Sequence, residues 1–143
     1  MVDCDEASFP AAEMVVCRYP NPKAVTLEEL LADNVSHAGP ILGADVPGWR
    51  SMVSESLTVR QTCGAEVQIE KVGGKPSIDP CTPLVRLANY LPQFGMSLEA
   101  GQVITTGSCT GLLWVDSNQR VTGELLAFGA VTVDCTRMCP GCS

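Results

Sequence analysis

The stretch LANYLPQFGMSLEAGQVITTGSCTGLLWV, residues 87–115, decides how the rest of the chain is read. It opens on the end of an amphipathic helix, turns at Pro92 and Gly95, and runs into a short strand at Val103-Ile104. A loop of small hydroxylic and glycine residues follows, Thr105-Thr106-Gly107-Ser108-Cys109-Thr110-Gly111, and then a second apolar strand, Leu112-Leu113-Trp114-Val115. Glycine lets a backbone approach a ligand with no Cβ in the way, so such a loop can aim N–H groups and hydroxyls at a small anion. Loops of this composition also close ordinary turns.

Working outward, the helix before the loop is predicted to start at Thr82 as its cap, with Pro83 in the first turn, where a missing N–H does no harm. Leu84, Leu87, Ala88 and Leu91 repeat at i, i+3, i+4 and i+7, the stripe of a core-facing helix. Upstream, Leu57-Thr58-Val59-Arg60-Gln61-Thr62 and Val67-Gln68-Ile69-Glu70-Lys71 alternate in the β period around Cys63-Gly64-Ala65, which predicts a hairpin with its exit at Gly73-Gly74-Lys75-Pro76. Farther up, Thr26 and Glu29 have capping-box spacing, and Leu27, Leu30 and Leu31 share one face, so a short helix is expected to end near Asn34. His37-Ala38-Gly39-Pro40 reads as a turn, Ile41 and Leu42 as buried, and residues 43–48 as a loop.

Glu13-Met14-Val15-Val16-Cys17-Arg18 is a short β-prone run broken by Tyr19-Pro20-Asn21-Pro22. At the other end, Asp116-Ser117-Asn118-Gln119 reads as a turn. Val121, Gly123 and Leu125 then begin an alternating strand in which Gly129 is expected to form a bulge before Val131 and Val133. The whole is an α+β chain, mainly β, with two short helices. One domain is expected over residues 1–135, followed by a Cys-rich tail over 136–143.

The net charge of −7 on 143 residues argues against an electrostatic surface for nucleic acid or anionic lipid. No apolar run approaches a membrane span, and the start of the chain has neither the basic opening nor the apolar core of a signal peptide, so the expected compartment is the cytoplasm. In that setting Cys4, Cys17, Cys63, Cys81 and Cys109 read as reduced, small apolar fillers. Cys135, Cys139 and Cys142 cluster in the tail, where three thiols can hold zinc, form a redox pair, or simply fray with the terminus.

The order of motifs resembles a known family. Leu87-Ala88-Asn89 is followed by Gly95-x-x-Leu98-x-Ala100-Gly101-x-Val103, then Thr106-Gly107-Ser108-x-Thr110-Gly111, then a hairpin that ends in Gly129-Ala130-Val131-Thr132-Val133. Upstream stand Ala32-Asp33-Asn34-Val35-Ser36 and Ala11-Ala12-Glu13 with Arg18. This pattern is similar to the C-terminal half of the 2-keto-4-pentenoate hydratase and 4-oxalocrotonate decarboxylase family, in the fumarylacetoacetate hydrolase superfamily. The resemblance implies a mixed β-roll of the fumarylacetoacetate hydrolase C-terminal type. It also implies a lyase of aromatic catabolism acting on 2-oxo and 2-hydroxy-dienoic acids, in which a divalent ion assists enol–keto tautomerisation before hydration. Decarboxylation of the 4-oxalocrotonate kind is the alternative outcome, because both reactions use the same electron sink.

By the same resemblance Glu13 matches a metal-binding carboxylate, for which hard oxygen chemistry suits Mg²⁺ or Mn²⁺. Asn34 and Ser36 match wall residues of the substrate pocket, and Thr106, Gly107 and Ser108 match the element that binds carboxylate or oxo oxygens. Arg18 reads either as a surface ion pair or as a substrate contact. His37, the sole histidine, is not assigned as a base, and Cys109 reads as a packing residue. Family members carry an earlier half with a Glu-x-Glu pair, which this sequence does not contain; Asp3 and Asp5 read as solvated acids. A homo-oligomer, a complementary N-terminal half, or a non-catalytic assembly module is therefore expected alongside the small 2-oxo acid substrate.

Overall fold

The computed structural model describes residues 7–51, 57–72 and 81–136. Asp3, Asp5, Cys4, the predicted hairpin exit at 73–76 and the tail cysteines Cys139 and Cys142 lie outside these residues. Two antiparallel sheets carry the described chain, with two α-helices beside them. The α+β, mainly β reading of the sequence holds at this level.

The first sheet is a two-stranded ribbon of β1 (Ala11–Val15) and β2 (His37–Leu42). Between them lies α1 (Leu27–Ala32), whose start is fully local in origin. The Thr26 hydroxyl accepts from the Glu29 N–H at 3.3 Å, and the Glu29 carboxylate accepts from the Thr26 N–H at 2.9 Å, so two otherwise orphaned donors are satisfied reciprocally. Its leucine face is not buried as an amphipathic helix would lead one to expect: Leu27 is 67% and Leu31 62% exposed.

The second sheet has the strand order β4-β3-β5-β6, all antiparallel. β3 (Thr58–Cys63) and β4 (Glu66–Val72) form the predicted hairpin around Gly64, and β5 (Gln119–Leu125) and β6 (Gly129–Cys135) form the last one. Directly opposed side chains complement each other across these ladders. Arg60 meets Glu70 at 2.7 Å, Arg120 holds both oxygens of Asp134 at 2.6 and 2.9 Å, and the Thr122 and Thr132 hydroxyls lie 3.0 Å apart. Val59 on β3 and Val131 on β6 are buried, and Leu57 and Val46 join them.

The ribbon meets this sheet at one tight junction. Pro10, completely buried, accepts from the Gly43 N–H at 2.8 Å, and Val46 donates to Ser8 at 2.9 Å, which carries the β1–β2 pairing outward past both strand ends. Gly43 there faces the Ala130 carbonyl on β6, and Gly129 faces the Pro10 ring.

Several expectations are corrected. His37-Ala38-Gly39-Pro40 is the start of β2, not a turn; Pro40 is tolerated because a two-stranded ribbon is all edge and has positions where no N–H is required. Leu42 is exposed, and Ile41 only half-buried. Gly129 is not a bulge within one strand: Leu126, Ala127 and Phe128 turn the chain, Ala127 with φ +69°, and Leu125 pairs with Gly129 across the hairpin. Helix α2 (Cys81–Tyr90) begins before Thr82, so that residue is inside the helix and does not cap it. Its stripe of Leu84, Leu87 and Ala88 is half-buried, and Leu87 with Leu91 borders a groove with Met96, Leu98, Val103 and Ile104. Among the described residues, neither Val103-Ile104 nor residues 112–115 pair with another strand, and Trp114 is 72% exposed. An apolar run is a strand only when a neighbour takes up its backbone hydrogen bonds.

Candidate functional site

Strand β1 carries Glu13 on the same exposed face as Ala11 and Val15. Opposite it, the pairing jumps from Met14↔Gly39 to Val15↔His37, so Ala38 is left out of register as a bulge. The bulge brings the first residue of β2 diagonally over Glu13. The His37 Nδ1 lies 2.9 Å from the Glu13 Oε1, and both side chains keep part of their surface open to solvent.

Arg18 links His37 to a buried carboxylate. The Asp33 side chain is only 2% exposed, and its partners account for both oxygens. Arg18 Nη1 donates to Oδ1 at 2.8 Å, the Arg18 backbone N–H donates to Oδ2 at 3.2 Å, and the Ser36 hydroxyl donates to Oδ2 at 3.0 Å. The same guanidinium donates to the backbone carbonyls of Asp33 and His37, at 3.0 and 3.1 Å. Arg18 is thus the ion-pair partner of Asp33, the first of the two readings its sequence position allowed.

Between Asp33 and His37 the backbone does something the residue types do not favour. Asn34, Val35 and Ser36 have φ of +53°, +56° and +57°, three successive left-handed residues with no glycine among them. Each L-residue in that region costs about 1–2 kcal/mol, and a β-branched residue such as Val35 is a clear outlier there. Ser36 N–H donates back to the Asp33 carbonyl at 2.9 Å, and the Ser36 carbonyl accepts from Val16 at 2.8 Å, which ties the turn to the end of β1.

The Arg18 side-chain hydrogen bond, aided by those from the Arg18 backbone and Ser36, holds the Asp33 carboxyl below its ordinary value against the opposing effect of burial. A carboxylate whose folded pKa is depressed contributes stability that is complete above the unfolded value, here near 3.8, and lost as pH falls through the folded value. The denaturation midpoint is therefore expected to fall from pH 6 toward pH 3 more steeply in the wild-type chain than in Asp33→Asn. Urea titrations across that range check it; parallel pH profiles for the two proteins would contradict it.

Of the residues singled out by resemblance, the structure gathers Glu13, Asn34 and Ser36 into this one region. Asn34 is exposed, whereas Ser36 is buried with its hydroxyl committed to Asp33. Thr106, Gly107 and Ser108 belong to a separate loop. There the Ser108 hydroxyl accepts from the Gly111 N–H at 3.0 Å, and Gly107 and Gly111 supply the positive φ values of +110° and +83° that the loop requires. Cys17, Cys63, Cys81 and Cys109 are half-buried, in keeping with packing roles, and Cys135, grouped by its sequence position with the tail cysteines, is half-buried at the end of β6.

Among the described residues no three His, Cys, Asp or Glu side chains converge to hold a metal ion. One carboxylate already bonded to an imidazole does not by itself fit Mg²⁺, which needs a near-octahedral set of oxygen donors. What the sequence reading missed is the Glu13–His37 pair and the cluster in which the exposed Arg18 caps the buried Asp33 and Ser36. The available signal was the position of His37 directly after the Asp33-Asn34-x-Ser36 segment. Only its pairing with a strand more than twenty residues away gives that position meaning.

No family model matches the chain. The chain is similar to a 4-oxalocrotonate decarboxylase from Pseudomonas putida, with 27% identity over 124 residues that make up 87% of this chain and 47% of that protein. It therefore spans about half the length of the curated relative it matches. No helix among the described residues is long and apolar enough to cross a membrane.

Proposed function

We propose that this chain is part of a lyase that removes CO₂ from a 2-oxo acid of the 4-oxalocrotonate type. The observation that carries the reading is the likeness to the decarboxylase along most of this chain, taken with the motif order around Glu13 and Thr106. The name of that relative favours decarboxylation over hydration, the outcome placed first by the family resemblance; residue patterns do not separate the two. In such a reaction the bond to the departing carboxylate breaks and its electron pair enters the conjugated 2-oxo system, which then takes up a proton.

The chain's own contribution follows from what its groups can do. Glu13 offers one anionic oxygen donor for the Mg²⁺ or Mn²⁺ that the resemblance implies, and the remaining donors come from elsewhere in the assembly, whether a second copy or a complementary half. Asn34 presents an exposed amide in the turn that precedes His37, able to donate to a carboxylate or an oxo oxygen. The 106–108 loop offers backbone N–H groups and hydroxyls for the same kind of oxygen.

Calorimetric titration of Mn²⁺ into the purified chain with oxalate present tests the reading, because oxalate mimics the chelating end of a 2-oxo acid enolate and supplies two oxygen donors of its own. The expected result is binding by the wild-type chain that weakens by at least about tenfold in Glu13→Ala. Equal binding by both proteins would remove Glu13 from the proposed role, and no binding by either would mean that the chain and its own oligomer do not complete the site, leaving a complementary half as the source of the other donors or a fold without the chemistry.

A further inference from the structure

We propose that Arg18, Asp33 and Ser36 are positioning residues: together they hold Asn34–Ser36 in the left-handed conformation and so set the His37 imidazole against the Glu13 carboxylate. The geometry is that of a clamp across a turn. One guanidinium reaches the carboxylate and carbonyl of Asp33, on the near side of the turn, and the carbonyl of His37, on the far side. The Asp33 carboxylate reaches forward to the Ser36 hydroxyl and back to the Arg18 N–H, which follows β1 by three residues. The clamp thus joins the end of the strand that carries Glu13 to the start of the strand that carries His37.

The strain identifies what the clamp is for. A free Asn-Val-Ser segment avoids three successive left-handed residues, and Val35 gains nothing from burial in return, since it is exposed. If the turn relaxed, β2 would enter the ribbon in another register. A one-residue slip in a strand moves each side chain to the opposite face, so His37 would leave the face of Glu13. The inference rests on this cluster, and it gives the Glu13 of the proposed function a fixed setting; its readout is the contact itself, whether or not the chain turns over a substrate.

His37 is the only histidine, so its imidazole resonances are unambiguous. The test is ¹⁵N and nuclear Overhauser spectroscopy of His37 at one fixed pH in the full chain. The variants are Asp33→Asn, Arg18→Lys, and each of these combined with Val35→Gly. Cross-strand signals between β3 and β5 serve as the reference for an intact larger sheet. Asp33→Asn is expected to lose the His37–Glu13 cross-peak while those reference signals remain. Adding Val35→Gly is expected to restore at least half its intensity, because glycine adopts the left-handed region at no steric cost. A cross-peak that survives in Asp33→Asn overturns the proposal, and so does one that is lost and not restored by glycine, the behaviour of an ordinary structural ion pair. Should Asp33→Asn not fold, Arg18→Lys carries the same test, since a lysine cannot reach both sides of the turn at once. There too, loss with rescue by Val35→Gly supports the clamp, and retention, or loss without rescue, overturns it.

Discussion

Gly43→Ala is expected to lower the stability of the chain by about 2–3 kcal/mol, the cost of forcing extra volume into a packed contact. The added Cβ would stand 2.5 Å from the Ala130 carbonyl oxygen, 2.7 Å from the Pro10 Cγ and 3.2 Å from the Pro10 carbonyl oxygen. Two of these three neighbours are backbone, and the third is a fully buried proline ring, so none can swing away as a flexible side chain would. Relief requires the β1–β2 ribbon to part from β6, which also puts at risk the 2.8 Å bond from Gly43 to Pro10. The comparison is Gly64→Ala, where a Cβ would meet open space and only the positive φ of +58° opposes it, at about 1 kcal/mol. Urea denaturation of the two variants separates these cases. A Gly43→Ala midpoint close to that of the wild-type chain, with unchanged slope, would mean that the ribbon is not seated on β6 as described.

The second large effect is on turnover. In whatever assembly releases CO₂ from 4-oxalocrotonate with Mn²⁺ supplied, Glu13→Gln is expected to reduce the rate by at least about 100-fold, on the scale of losses at the groups around a bound metal. Glutamine has nearly the same shape and can still meet His37, so the strand pairing and the bulge at Ala38 remain; what is lost is the anionic oxygen. The substitution therefore separates charge from architecture. A rate within about threefold of wild type would place the metal-binding carboxylate elsewhere and leave Glu13 as half of a surface pair with His37, which is all that a half-exposed ion pair need be.

Residues whose interactions are close in sequence were readable, and those whose partners are distant were not. The capping box at Thr26 and Glu29 spans three residues, and both of its hydrogen bonds are present. The β3–β4 hairpin closes over a two-residue turn, so alternation on both sides of Gly64 was sufficient to find it. By contrast, the segment from His37 to Leu42 carries a glycine and a proline, signals of a turn, and becomes a strand only because β1 lies alongside. The reverse error occurred at Val103-Ile104, where an apolar β-branched pair resembles a strand but no neighbour among the described residues completes it.

The sequence by itself determined the α+β composition, the starts of the local elements and the family likeness, because each depends on residue type at short spacing. By resemblance it also marked Glu13, Asn34, Ser36, Thr106, Gly107 and Ser108 for one site, of which the first three lie in one region and the 106–108 loop stands apart. Only the tertiary structure decided how they stand. Arg18 and Asp33, fifteen residues apart, meet around a left-handed turn that no local preference favours, and His37 reaches Glu13 across a ribbon whose register that turn helps set. A strained conformation cannot be read from propensities that oppose it; it exists because a buried carboxylate, satisfied by the distant Arg18 and by Ser36 within the turn itself, makes the alternative worse.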